Sequence, residues 1–357
     1  MSLHRRARAL LLAVAATATL LLASGCSTLG YYAQAVGGHL RLMHEARPVA
    51  DWLADPATPP SLRQRLQLSQ QMRDWAVTAL GLPDNDSYRR YADLHRSAVV
   101  WNVVAAPALS LTLHTWCFPV MGCVGYRGYF DRAAAQAQAA ALRAQGLDVE
   151  VYGVPAYSTL GWSNWLGGDP LLSTFIDWPE GELARLIFHE LAHQVAYARD
   201  DTTFNESFAD AVAQIGGRRW MAAHASAQAQ AADRAAQQRQ REFQALTLAA
   251  RAQLEALYAG PLDDAAKRER KAAVFAQLRA DYAALKAQRW GGYSGYDRWF
   301  AGANNASLGV LAAYNALVPA FEHRFEADGA DFPRFYADVR ALAALPRAER
   351  RARLETP

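Results

Sequence analysis

Two histidines with a glutamate between them stand in Phe188-His189-Glu190-Leu191-Ala192-His193. In a helix, residues four apart lie on one face, so both imidazoles can reach a single divalent ion. Glu190 projects from the next position, close enough to take a proton from a water attacking beside that ion. The chemistry this pattern suits is metal-assisted hydrolysis, with Zn2+ as the ion. Such a site needs three protein ligands and one open position. Phe204-Asn205-Glu206-Ser207-Phe208-Ala209-Asp210 offers Glu206 as the third, with twelve residues between it and His193, enough for a turn between two antiparallel helices. Glu206 also has a structural reading, because Thr203-x-x-Glu206 is the spacing of a capping box, in which the glutamate bonds the helix start.

The elements that must position these residues can be read from periodicity. Leu183, Leu186, Ile187, Leu191 and Val195 give the first helix a face for the core. It is expected to start at Asp177-Trp178-Pro179 and run to about Arg199, with a second helix from near Thr203. Upstream, residues 31–80 have helical spacing, broken at Pro48 and at Asp55–Pro60 and ended by Gly81. Between Ala98 and Phe130 the period changes to two, over Val99, Trp101 and Val103, then Leu109, Leu111 and Leu113, then Val124 and Tyr126, which predicts strands. Asp131–Gln145 reads as a capped helix and Leu147–Val154 as a strand. From 222 to 288 an apolar stripe recurs every three or four residues on either side of Gly260-Pro261, predicting a helical hairpin. The fold class expected is α+β, mostly helical, with a small antiparallel sheet packed against the zinc-binding helices. After a leader over 1–25, a single domain over 26–357 holds N-terminal helices (26–96), a sheet region (97–162), the zinc-binding helices (178–220), the hairpin (222–290) and C-terminal helices (291–345).

Composition narrows the setting. Across 357 residues, 37 basic and 34 acidic side chains leave a net charge of +3, which gives no electrostatic case for nucleic acid. The cluster Arg347, Arg350, Arg351 and Arg353 reads as a solvated tail. His4, Arg5, Arg6 and Arg8 precede an apolar run from Ala9 to Ala23 that ends in Ser24-Gly25-Cys26, the layout of a secretory signal. A cysteine after Ser-Gly resembles the lipobox of bacterial lipoproteins, with Ala23 where a leucine is usual. The run is short for an uncleaved membrane span, the competing reading. The reading favours a lipid anchor on Cys26, and Ser27 resembles an outer-membrane sorting residue, which puts the protein in the bacterial envelope facing the periplasm. Acylating Cys26 leaves Cys117 and Cys123, a pair free to form a disulfide in an exported protein; two inert buried thiols or a weak metal site with His114 are the alternatives.

An Asn-Glu pair on the helix after the histidine motif resembles the third-ligand motif of gluzincins such as thermolysin. That resemblance implies a role for Asp210, four residues beyond Glu206, in orienting one of the zinc histidines; a solvated helix aspartate is the alternative. More of the chain resembles a family of zinc aminopeptidases found as bacterial envelope lipoproteins. The matching strings are Gly30-Tyr31-Tyr32-Ala33-Gln34-Ala35, Trp116-Cys117-Phe118-Pro119, Gly122-Cys123-Val124, Tyr126-Arg127-Gly128-Tyr129-Phe130, Val154 to Trp162, the zinc helix, Phe204 to Ala209, and Asn304-Asn305-Ala306. The resemblance implies a peptidase acting on peptide substrates. Hydrolysis also needs a donor for the tetrahedral oxyanion, for which Tyr314 is the candidate, with Tyr293 and Tyr296 as rivals. Val154–Trp162 could receive substrate as an added strand, and Glu182 could hold a substrate ammonium or simply favour a helix start. An endopeptidase of the same chemistry and a non-catalytic zinc lipoprotein that binds a partner remain the other readings.

Overall fold

The computed structural model describes residues 30–32, 34–118, 122–156, 168–199, 201–315 and 317–355, with the backbone alone at 118, 122, 312–315 and 355. The leader, Cys26 and most of the segment Val154–Trp162 lie outside the described residues. A helix over 34–45 (α1) is followed by β1 (Arg47–Pro48) and α2 (Val49–Ala54). α3 (Pro60–Leu80) opens on a proline, whose fixed φ suits a first helical position, and ends at Gly81 in the left-handed region at φ 63°. Next come β2 (Arg90–Ala92), β3 (Val100–Pro107), β4 (Trp116–Phe118), β5 (Gly122–Val124) and β6 (Arg127–Tyr129). Leu109, Leu111 and Leu113, expected as a strand, form none. The chain bends back there, with the His114 amide on the Ala105 carbonyl at 2.8 Å, and Leu111 joins a helical core instead. β4 and β5 pair as a ribbon in which Cys117 and Cys123 stand opposite each other, joined as a disulfide.

α4 (Arg132–Ala144) is capped by Asp131, and β7 (Leu147–Val154) completes an antiparallel sheet in the order β6-β3-β7. Strand alternation splits this sheet cleanly. Val103, Ala105, Val149 and Val151 meet α4, while Val104 and Ala106 face the opposite way. A second, mixed sheet runs β1-β2-β8, with β8 (Leu171–Leu172) parallel to β2. The helices α5 (Glu180–Ala192) and α6 (Thr202–His224) then lead into α7 (Ala227–Ala259) and α8 (Asp264–Gln288), the expected hairpin. α9 (Asp297–Gly302), α10 (Asn305–Asn315), α11 (Val318–Ala327), α12 (Phe332–Ala343) and α13 (Arg347–Glu355) close the chain. The fold is α+β and mostly helical. The antiparallel sheet meets α6 largely through α10, which packs on β3 and β7 with one side and on α6 with another. None of the described helices is long and apolar enough to cross a membrane.

Beside the core between the antiparallel sheet and α4, the helices build two more. The larger gathers α3, α5, α6, α11 and α12 around Phe188, Phe204, Phe208, Phe321 and Phe335. The smaller lies inside the hairpin, around Phe243, Leu254, Phe275 and Leu278. A nearly buried ion pair bolts them together: Arg185 of α5 meets Asp233 of α7, whose carboxylate occupies the space a side chain at Gly181 would fill. Removing one member of such a pair strands the other charge, at a cost of about 3–5 kcal/mol.

Of the C-terminal arginines expected as a solvated tail, Arg347 and Arg353 are exposed, but Arg350 and Arg351 are not. Arg350 is 4% exposed and sits on α13, donating to Asp201 at 2.7 Å while Arg351 donates to the same carboxylate at 2.5 Å. Charge composition could not reveal this, because the partner lies far away in sequence. Asp201 also accepts from the Phe204 amide at 3.2 Å and so caps α6. Burial pushes the Asp201 carboxyl up, but bonds from Arg351, the Phe204 amide and Arg350 outweigh burial and hold it below the ordinary aspartate range. With the folded value below the unfolded one of about 3.9, this stabilisation is complete above that pH and is lost as pH falls through the folded value. Asp201→Asn is therefore expected to be less stable than wild type at pH 7, the gap narrowing below about pH 4. Urea unfolding at pH 7 and pH 3 measures it; a gap of equal size at both refutes the assignment.

Candidate metal centre

α5 buries Leu183, Ile187, Phe188 and Leu191, which leaves Glu182, Leu186, His189 and Glu190 as a half-buried stripe. The helix stops at Ala192 rather than near Arg199. His193 is its C-cap, still in helical conformation, with its amide on the His189 carbonyl at 3.3 Å. That bond preserves the one-turn spacing of the two imidazoles. Past His193, tertiary holds override the helical period: Asn85 donates to the Gln194 side chain at 2.6 Å, and the same side chain donates to Ser87 at 3.2 Å. On α6, Phe204 and Phe208 point into the core, and Glu206 and Asp210, also one turn apart, share the half-buried face. Because Asp201 caps this helix, Glu206 is released from the capping-box role. Asn205 ties the helix to the preceding connection, accepting from the Ala198 amide at 2.7 Å and donating to its carbonyl at 2.9 Å.

Three donor atoms meet where the two helices face each other. His189 Nε2 and His193 Nε2 are 3.1 Å apart, and Glu206 Oε2 lies 3.3 Å from the first and 3.6 Å from the second. Donors arranged tetrahedrally about 2.0–2.1 Å from one ion are separated by about 3.3–3.4 Å. Among the described residues, this is the group of histidine, cysteine and carboxylate side chains able to hold a metal ion. Behind it, His189 Nδ1 is 2.9 Å from Asp210 Oδ1. An N–H donated there leaves the Nε2 lone pair aimed at the shared point, the arrangement usual for a metal-bound imidazole. His193 has no such support: its Nδ1 is buried without a hydrogen-bond partner among the described residues.

Charge in the centre is predominantly negative. Burial opposes a charged His189, yet Asp210 and Glu206 outweigh it and raise that imidazole well above its ordinary range. Burial pushes the Glu190 carboxyl up, against the pull of His189 and His193. Glu206 goes the other way, for hydrogen bonds from both imidazoles overcome burial and hold it well below the usual carboxylate range. Three carboxylates around two imidazoles in a half-buried space repel one another unless a cation is shared between them, so the donor chemistry fits a divalent ion.

Residues that sequence reasoning did not single out surround the centre. Tyr152 on β7 and Asn102 on β3 stand opposite each other in register, and the Asn102 amide donates to the Tyr152 hydroxyl at 3.3 Å. Tyr126 packs beside Tyr152 against α10. Burial above all pushes both phenols up, and the charge of Glu206 adds to the rise in each, which marks their proximity to it. On another side, Tyr88 is fully buried at a left-handed φ of 65°, a strained conformation for a bulky residue. Its hydroxyl has no partner among the described residues, and after burial Glu190 is the largest influence raising it. Strand alternation was the one signal for Tyr152; nothing local marks Tyr88.

The remaining candidates are placed less centrally. Tyr314 lies in the last turn of α10, and its side chain is not among those described. Tyr296 stacks on Phe243 and Tyr293 lies under Arg239, so both rivals belong to the hairpin. Glu182 stands two turns before His189, about 10 Å along the axis. Its charged neighbours are Arg185, Asp233 and Arg239, and burial pushes its carboxyl up.

No match is found among curated proteins or among solved structures. A family model described as "Putative aminopeptidase" matches residues 30–354, from the N-terminal helix through nearly all of α13, and the chain belongs to this family.

Proposed function

We propose that the protein is a zinc-dependent aminopeptidase of the gluzincin type, tethered by lipid to the bacterial envelope. The observation that carries this is the convergence of His189 Nε2, His193 Nε2 and Glu206 Oε2 at tetrahedral spacing, with Glu190 beside them. His189, His193 and Glu206 would hold the ion, and Asp210 would fix the His189 ring and tautomer. When bound, zinc supplies Lewis acidity toward the scissile carbonyl and lowers the pKa of a bound water to about 7. Glu190 takes the proton from the attacking water and delivers it to the leaving amine; its raised pKa suits both halves of that exchange. Tyr152 accepts from Asn102, which leaves its own O–H to donate to the developing oxyanion, and we assign it that role in place of Tyr314.

Four kinds of variant separate these roles. Glu190→Gln is expected to keep its zinc and lose about 10²–10⁴-fold in kcat. His189→Ala, His193→Ala and Glu206→Ala should lose the metal itself. Asp210→Ala should weaken zinc affinity by about 10–100-fold, and Tyr152→Phe should lower kcat by about 10²–10³-fold at unchanged metal content. Elemental analysis beside peptide hydrolysis reads all of them, and full zinc occupancy in Glu206→Ala would place the third ligand elsewhere.

Whether the enzyme removes terminal residues or cuts internally is read from paired substrates. Free peptides should be cleaved and their N-acetylated forms spared; equal cleavage of both favours the endopeptidase. Chelator should abolish either activity.

The tether rests on the basic and apolar leader ending in Ser24-Gly25-Cys26. Labelled palmitate is expected in the wild-type protein and absent from Cys26→Ala. A wild-type chain that never takes up label contradicts the anchor.

A further inference from the structure

Past His193, the described residues of the connection between α5 and α6 supply no donor to the metal centre, yet that connection decides where Glu206 stands relative to His193. The C-terminal helices grip it at two points. Arg340 of α12 donates to the Val195 carbonyl at 3.0 Å, just past His193. Arg350 and Arg351 of α13 close on Asp201, where α6 begins. Arg350 is itself fixed, donating to the Leu342 carbonyl at 3.2 Å and the Leu345 carbonyl at 2.8 Å. Its guanidinium also lies 5.1 Å from the ring of Phe204, two residues before Glu206.

Helix stability alone does not account for this arrangement. Asp201 would cap α6 without any arginine. Two guanidiniums at a helix N-terminus oppose the positive end of the helix dipole, and they exceed the single charge of Asp201. What they add is a fixed distance between the start of α6 and the C-terminal helices, and hence between α6 and the end of α5.

We propose that Arg340, Arg350 and Arg351 are positioning residues of the metal centre, clamping both ends of the α5–α6 connection so that His193 and Glu206 stand at ligand spacing. This rests on the metal reading above. The clamp sets affinity for the ion, because donors free to drift apart must be ordered when it binds.

The test is zinc affinity of the metal-stripped full chain, by competition with a chromophoric chelator, alongside thermal unfolding. The variants are Arg350→Met/Arg351→Met, Arg351→Met, Arg351→Lys and Leu278→Ala. Leu278 lies in the hairpin core and reports the effect of lost stability alone. The double variant is expected to lose about 10–100-fold in zinc affinity, the size of an outer-shell effect. Arg351→Lys, which keeps the charge, should stay within about threefold of wild type, and Leu278→Ala should melt lower yet bind zinc unchanged. Arg351 is 22% exposed, so Arg351→Met carries the comparison if the double variant does not fold, with a loss of about tenfold. Clamp variants that fold and bind zinc as tightly as wild type overturn the inference, as does an equal loss in Leu278→Ala. A wild-type chain that takes up no zinc overturns the metal reading and this inference with it.

Discussion

Donor atoms carried on two different helices can stand 3.3–3.6 Å apart only where those helices approach closely. No two described elements are packed more extensively than α5 and α6. Their approach depends on two glycines in the middle of α6. A side chain at Gly216 would come within 2.9 Å of the Phe188 ring, and one at Gly217 within 2.6 Å of the Arg185 stem. A glycine inside a helix costs about 1 kcal/mol relative to alanine. Fully burying each of Phe188, Phe204 and Phe208 returns about 1.5–3 kcal/mol, and these three flank the ligand positions in sequence. The packing that stabilises the core thus also fixes the orientation of the donor-bearing faces.

Close approach concentrates charge as well. Glu190, Glu206 and Asp210 surround two imidazoles, and the opposite shifts of Glu190 and Glu206 follow from their positions. Glu206 receives both imidazoles directly and stays ionised, whereas Glu190 feels them from beside the pair and is dominated by burial. Two carboxylates on neighbouring helices are thereby differentiated, one suited to holding a cation and the other to carrying a proton. The helix that bears a residue does not decide its role; its line of sight to the imidazoles does.

How much of this was legible in the sequence depended on distance along the chain. His189, Glu190 and His193 are a one-turn pattern readable from local periodicity and chemistry, whereas Glu206 was one candidate among downstream carboxylates and Asp210 was marked only by the resemblance to gluzincins. The competition between ligand and capping roles for Glu206 turned on Asp201, which sits outside the capping-box string. Tyr88 carries no local mark and Tyr152 none beyond strand alternation, since their relation to the centre is made by a strained turn and by strand register. Leu109–Leu113 had the period of a strand but no neighbour to pair with. Arg350 and Arg351 looked solvated because their partner lies about 150 residues upstream; composition records charge but not which charge meets it.

The helical hairpin, which could pass for an appendage in a list of elements, bears on the centre through α10. Asn305, fully buried at the start of α10, accepts from Tyr258 of α7 at 2.8 Å and donates to the carbonyls of Pro107 and Ala108 at 3.0 Å. Its amide meets Asp148, which also receives Lys271 of α8 at 2.6 Å. Sheet, hairpin and α10 are therefore joined at one polar knot, each of whose members would be costly to leave unpaired. Since α10 lies between that sheet and α6, the knot governs how far Tyr152 and Tyr126 stand from Glu206. The string Asn304-Asn305-Ala306 thus acts at a distance from the candidate metal centre: the asparagine seats the spacer helix, and the alanine lets the sheet and its phenols Tyr126 and Tyr152 close on it.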